Sequence, residues 1–163
     1  WLFSSGERSG VLIGKKPDQE GINAIQIEMF EANEEQIQIL LEAVARGYLV
    51  QAHISVKVGY SVTCGCSCIT NELAAFLIGM GKYSYFGYGT WISPDLADVK
   101  KRWCPDLFTR PLGKPLGSGT RSNNGVWRRS FSSGTNVTFD AHTNKGTIDW
   151  SGPSTEVEMT TRP

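Results

Sequence analysis

The chain has 163 residues, in which 16 Lys and Arg balance 16 Asp and Glu, and 40% of the residues are hydrophobic. This length fits one domain, and the composition is that of a folded protein. A zero net charge argues against a nucleic-acid-binding protein or a polybasic membrane-surface module, both of which carry a basic excess. No window is apolar over the roughly 18 residues that a membrane-spanning helix needs. We therefore expect neither nucleic acid nor a membrane as a partner.

The first half of the chain has a strand–helix–strand pattern. Alternating apolar residues predict strands at 22–29 and 48–56. Between them, Asn33 and Gln36 have the spacing of a helix cap, and apolar residues follow at helical intervals. A second helix is predicted over 71–80 and a third strand over 83–88. This order is typical of parallel sheets covered by helices.

The composition changes near Pro111, where Gly, Ser and Thr become frequent. Three short strands separated by turns predict a small antiparallel β appendage over 111–150, followed by a tail over 151–163. Residues 1–110 form the α/β part of this division. Because the chain begins with Trp1 rather than Met, we expect a fragment or a processed product.

Three cysteines lie close together in the sequence, and a fourth follows at a distance. Cys64, Cys66 and Cys68 fall within seven residues, and Cys104 is the fourth. A disulfide from this cluster to Cys104 is one interpretation, and free buried thiols are another. A metal site is a third, although this spacing is not that of a zinc finger or zinc ribbon. The sequon at Asn136 favours a glycosylated protein of the secretory pathway or the extracellular space.

Several segments together resemble glycoside-hydrolase-like (β/α)₈ barrel families of unassigned specificity. The segments are Asn71–Gly79 with Tyr83–Gly87, the Pro-Leu-Gly-x-Pro-Leu-Gly run at Pro111–Gly117, and the hairpin at Arg129–Val137. The resemblance implies an α/β fold that is the C-terminal half of a TIM-type barrel followed by the β appendage. Residues 22–29, 48–56 and 83–88 are then the last three barrel strands. A missing N-terminal half, or another protein chain, is the expected protein partner.

Glu28 is the candidate catalytic residue that the resemblance implies. It ends an apolar strand, and barrel enzymes carry their catalytic groups at the C-terminal ends of strands. Glycoside hydrolysis needs two carboxyl groups, one of which protonates the leaving oxygen. The alternative is a solvated carboxylate at a strand end, or one that stabilises the following helix.

Three further residues are candidates for substrate binding. His53 lies within the second strand, where it either contacts substrate or Glu28, or is a core histidine, and Gln51 shares its face. Trp91 follows the third strand and is a candidate for stacking on a sugar ring, with core packing as the alternative. For Tyr83, Tyr85 and Phe86, core packing is the preferred interpretation.

These observations predict a carbohydrate-active glycoside hydrolase-like protein that acts on or binds polysaccharide, without a cofactor or a metal. The alternative is a non-catalytic carbohydrate-binding or extracellular structural protein derived from such a barrel. A single candidate carboxylate cannot both protonate the leaving group and activate the attacking water. We therefore expect the isolated 163-residue chain to be inactive.

Overall fold

The computed structural model describes residues 2–5, 24–55, 66, 69–89 and 104–151. Four strands form a parallel sheet in the order β1-β2-β3-β4. They are β1 (Leu2–Ser5), β2 (Ala24–Glu28), β3 (Leu49–Ser55) and β4 (Ser84–Gly89). The helices are α1 (Glu34–Ala45), α2 (Thr70–Gly79) and the short α3 (Pro105–Phe108). The predicted strands at 22–29, 48–56 and 83–88 are confirmed, and β1 is an addition that the sequence did not indicate.

The local sequence explains why β2 and α1 form. In β2, Ile25 and Ile27 alternate with polar residues, so one face of the strand is apolar. The side chain of Asn33 accepts a hydrogen bond from the backbone N–H of Gln36 over 2.9 Å, which confirms the predicted cap of α1. Gly47 ends the turn after α1 with a φ of 79°, a conformation that glycine adopts readily.

The second half of the described chain forms an antiparallel sheet in the order β5-β6-β7-β8. Its strands are β5 (Thr120–Arg121), β6 (Val126–Ser130), β7 (Asn136–Asp140) and β8 (Lys145–Asp149). Inward-facing residues of this sheet, among them Trp127, Val137 and Phe139, are buried and belong to the same hydrophobic cluster as the core of the parallel sheet.

The expectation of half a TIM barrel with a β appendage is wrong. The described strands form two open sheets, one parallel and one antiparallel, with three helices and no barrel. Strand–helix–strand periodicity predicts parallel pairing, but it does not determine whether a sheet closes on itself. Closure requires each strand to have two neighbours, and among the described strands β1 and β4 each have one.

Helix α2 lies between the two sheets. Every residue from Leu73 to Gly79 is buried, which is the pattern of a helix covered on all sides. The ring of Phe76 lies 5.1 Å from that of Phe86 in β4, whereas the other side of α2 contacts β6, β7 and β8. The antiparallel sheet is thus part of the core and not an appendage. No helix in the described part of the chain is long and apolar enough to span a membrane.

Candidate functional site

The parallel sheet has one apolar face and one polar face. Ile25, Ile27, Val50 and Ala52 are buried on the apolar face with the helices. The neighbouring residues along β2 and β3 point to the opposite face because side chains alternate along a strand. Two rows of paired residues cross this polar face. The first row is Glu28, His53 and Gly87, and the second is Gln26, Gln51 and Tyr85.

The position of Glu28 depends on an unusual backbone conformation at the next residue. Glu28 is the last residue of β2 and is partly exposed. Met29 follows with a φ of 54°, in the left-handed region that few residues other than glycine adopt. Phe30 then returns to the core, and its N–H donates to the carbonyl oxygen of His53 over 2.9 Å. The turn at Met29 thus buries Phe30 and leaves Glu28 at the strand end.

His53 is buried beside Glu28 in the first row. Burial lowers the pKa of the imidazole below its usual value, and the charge of Glu28 opposes this shift with a smaller effect. At neutral pH the imidazole is therefore uncharged and carries one N–H donor and one nitrogen acceptor. A carboxylate and a neutral imidazole on adjacent strands can bind hydroxyl groups or move a proton.

Glycine at position 87 makes room for the imidazole. A Cβ atom built at Gly87 would lie 3.0 Å from Cδ2 of His53. Any side chain at this position would therefore press on the ring. The imidazole of His53 thus lies against the bare backbone of Gly87, two residues along β4 from the exposed ring of Tyr85.

The second row carries two amide side chains and an aromatic ring. Gln26 is 5% exposed, and its Nε2 atom has no hydrogen-bond partner among the described residues. Gln51 is half-buried beside it, and Tyr85 is 56% exposed at the edge of the sheet.

The preferred core packing of Tyr83 and Tyr85 is wrong, because both rings are more than half exposed. Phe86, on the other face, packs between Phe76 and Phe108.

Glu28 is the only carboxylate on the polar face among the described residues. Glu72 is a further partly buried carboxyl group, but it lies in the first turn of α2, in the helical layer. Burial raises the pKa of Glu72 above its usual value, and the charge of Glu31 adds to the shift. Within the described residues, no group of three or more His, Cys, Asp or Glu side chains could hold a metal ion.

The structure brings together some of the residues that the sequence predicted. Glu28, Gln51 and His53 lie on one face of the sheet. Trp91, Cys64 and Cys68 lie outside the described residues. Asn136 is exposed at the start of β7, where its Nδ2 donates to the carbonyl oxygen of Gly134 over 3.0 Å.

Among the described residues, one disulfide joins two cysteines that precede helices. Cys66, which precedes α2, is bonded to the buried Cys104, which precedes α3. This is one of the three pairings with Cys104 that the sequence left open. The bond connects the segment after β3 to the segment after β4.

Sequence reasoning missed Gln26, Tyr85 and Gly87 as parts of the polar face. The alternation that assigned Gln51 and His53 to one face of β3 also assigns Gln26 and Glu28 to one face of β2. For Tyr85 and Gly87, the missing information was the pairing register between β3 and β4, which is a tertiary property.

Comparison with known proteins identifies one family. Residues 16–135 match the model of a family described as hypothetical glycosyl hydrolase family 15. This segment contains β2, β3 and β4 with both rows of paired residues described above. A search of curated proteins finds no match to the chain.

Proposed function

Because the chain belongs to the hypothetical glycosyl hydrolase family 15, we propose that the polar face of the parallel sheet binds carbohydrate. We propose further that Glu28 is one of the two carboxyl groups that hydrolyse a glycosidic bond. The observation that supports this best is the placement of Glu28 beside the buried His53 at the carboxyl end of β2. In parallel α/β sheets, ligands bind at the carboxyl ends of the strands.

The chemistry assigns a simple role to each group. In glycoside hydrolysis, one carboxyl group protonates the glycosidic oxygen as the bond to the anomeric carbon breaks. The second carboxylate either attacks that carbon or removes a proton from the attacking water. Glu28 supplies one of these groups. The neutral imidazole of His53 supplies a hydrogen bond to a sugar hydroxyl or to the Glu28 carboxylate and so orients it.

The second candidate function is carbohydrate binding without hydrolysis. The observation in its favour is that the described polar face holds one carboxylate, whereas hydrolysis needs two. A saccharide can still be held by hydroxyl contacts and ring stacking in such a site. The two functions predict the same ligand and differ in turnover alone.

The test measures binding and turnover separately. Calorimetry on the 163-residue chain uses soluble hexasaccharides of glucose, xylose and N-acetylglucosamine in different linkages. We expect binding of at least one hexasaccharide and no hydrolysis by this chain. Failure to bind any of them contradicts the carbohydrate proposal.

The catalytic role is tested on the protein from its natural source, with Glu28→Gln as the variant. We expect binding to survive and kcat to fall by about 10² to 10⁴, the usual contribution of a general acid or base. Glu31→Gln changes an exposed carboxylate three residues later and is the matched control. Equal hydrolysis by Glu28→Gln and the unmodified protein contradicts the catalytic role. Binding without any hydrolysis supports the second candidate function.

We also propose that the protein is exported and glycosylated at Asn136. The Cys66–Cys104 disulfide supports an oxidising compartment, and the side chain of Asn136 is exposed. The mass of the natural protein before and after enzymatic deglycosylation tests the second point, with Asn136→Gln as the control. An unmodified Asn136 together with a reduced Cys66 contradicts the proposal.

A further inference from the structure

Tyr85 differs from Phe86, the next residue of β4, in its exposure and its contacts. Its ring is 56% exposed on the polar face, whereas Phe86 packs on the opposite face with Phe76. A tyrosine that leaves more than half of its surface in water at a sheet edge loses hydrophobic burial. Because the ring of Tyr85 is exposed, a ligand can contact it.

Two neighbours make the surface around Tyr85 suitable for one sugar ring. Gln51 is paired with Tyr85 on the adjacent strand, and its amide offers both a donor and an acceptor. Two residues further along β4, Gly87 presents bare backbone next to His53. The imidazole of His53 occupies the position where a side chain of residue 87 would lie, so a flat ligand on the phenol ring of Tyr85 has this imidazole beside it.

We propose that Tyr85 and Gln51 form a subsite for a pyranose ring on the same face of the sheet as Glu28 and His53. This inference rests on the proposed function of the polar face. The apolar C–H face of the sugar stacks on Tyr85, and its hydroxyl groups exchange hydrogen bonds with the amide of Gln51. Successive residues on one face of a strand are about 6.6 Å apart. Tyr85 lies one such step along the sheet and two strands, each about 4.8 Å apart, across from Glu28, a separation of roughly 12 Å. The ring held by Tyr85 therefore belongs to a sugar unit beyond the bond that Glu28 acts on.

Gln26 is a positioning residue for this subsite. It is paired with Gln51 in the same row, and its buried Nε2 lacks a hydrogen-bond partner among the described residues. A buried amide without a partner is costly. Donation from Gln26 Nε2 to the Oε1 atom of Gln51 would satisfy this atom and hold the Gln51 amide with its N–H groups directed toward the sugar.

The test compares saccharide binding by variants of the 163-residue chain, using the hexasaccharide that binds most tightly. Tyr85→Ala should raise Kd about tenfold, the factor that about 1.4 kcal/mol represents and within the range of aromatic stacking. Tyr85→Phe keeps the ring and should change Kd less than about threefold. Gln51→Ala should also weaken binding, and Gln26→Leu should do so to a smaller extent than Gln51→Ala.

Tyr83→Ala is the matched control. Tyr83 is 51% exposed, but it precedes β4 and its ring is covered by the ammonium group of Lys82 at 5.0 Å. We expect its substitution to leave Kd unchanged. Because Tyr85 and Tyr83 are exposed, both alanine variants should fold, which thermal melting verifies.

Three outcomes would overturn the subsite, and they are distinguishable. If the chain binds a hexasaccharide and Tyr85→Ala binds it equally well, the subsite is wrong and the proposed function stands. If the chain binds none of the saccharides, the proposed function and the subsite both fail. Equal losses in Tyr85→Ala and Tyr83→Ala also contradict the subsite, because they indicate a nonspecific contribution of exposed tyrosines.

Discussion

The Nη1 atom of Arg129 donates a hydrogen bond to the carbonyl oxygen of Met80 over 2.6 Å, across the junction of β6 and α2. The same atom lies 3.0 Å from the carbonyl oxygens of Leu77 and Ile78. The last carbonyl groups of a helix have no partner within the helix and carry a partial negative charge. A buried guanidinium from the antiparallel sheet therefore caps α2 and joins the two halves of the described fold.

Substitution of Arg129 tests this junction. Arg129→Met should lower the free energy of unfolding by about 3 kcal/mol, because the carbonyl groups at the end of α2 lose a charged donor in a buried setting. Arg128 lies next to it on the exposed face of β6, so Arg128→Met should change stability by less than about 0.5 kcal/mol. Urea unfolding measures both. Equal losses from the two variants would show that the cap contributes little.

The contact between β8 and α2 requires glycine at position 146. A Cβ atom at Gly146 would lie 2.3 Å from Cβ of Ala74. Gly146→Ala should therefore lower the free energy of unfolding by roughly 1 to 3 kcal/mol through overpacking.

A second substitution separates this clash from other effects of alanine. Ala74→Gly removes the opposing methyl group and costs about 1 kcal/mol of helix propensity by itself. The double variant should be more stable than the sum of the single losses predicts. Additive losses in denaturant unfolding would mean that the clash relaxes by another route.

The disulfide should make a large contribution to stability. Cys66 and Cys104 are separated by 38 residues, and a crosslink over such a loop stabilises by about 4 kcal/mol in the chain-entropy model. Cys66→Ala should therefore lower the melting temperature as much as a reducing agent does. Cys64→Ala and Cys68→Ala are the matched controls and should melt like the unmodified chain. If Cys64→Ala or Cys68→Ala reproduces the loss, Cys104 pairs with that cysteine instead.

The buried imidazole predicts a pH dependence of stability. The pKa of His53 is lowered in the folded state by burial, so the unfolded chain binds a proton at a higher pH than the folded chain. The unfolding free energy should therefore be highest above about pH 6.5 and fall as the pH decreases through the folded-state pKa. Urea unfolding between pH 7.5 and pH 5 measures the slope.

Two histidine variants test whether His53 causes this decrease of the unfolding free energy at low pH. His53→Gln should flatten the decrease, whereas His142→Gln changes an exposed residue and should leave the slope as it is. A decrease that persists unchanged in His53→Gln would assign the acid sensitivity to other groups.

Local patterns in the sequence determined the individual elements. Alternation in β2 and β3, helical spacing after the Asn33 cap and the turns of the second half predicted strands and helices close to those observed. These patterns succeed because backbone geometry and solvent exposure act over a few residues. They also placed Gln51 and His53 on one face, which is half of the candidate site.

Only the tertiary structure determines which of these elements and side chains contact one another. The pairing of Glu28 with His53, of Cys66 with Cys104 and of Arg129 with the end of α2 joins residues that are far apart in sequence. No local period encodes the register between strands or the second partner of a buried helix. The open sheet in place of a barrel has the same origin, since strand–helix–strand order leaves closure unspecified. Closure depends on whether the edge strands of the sheet pair with each other, and packing between distant segments determines that pairing.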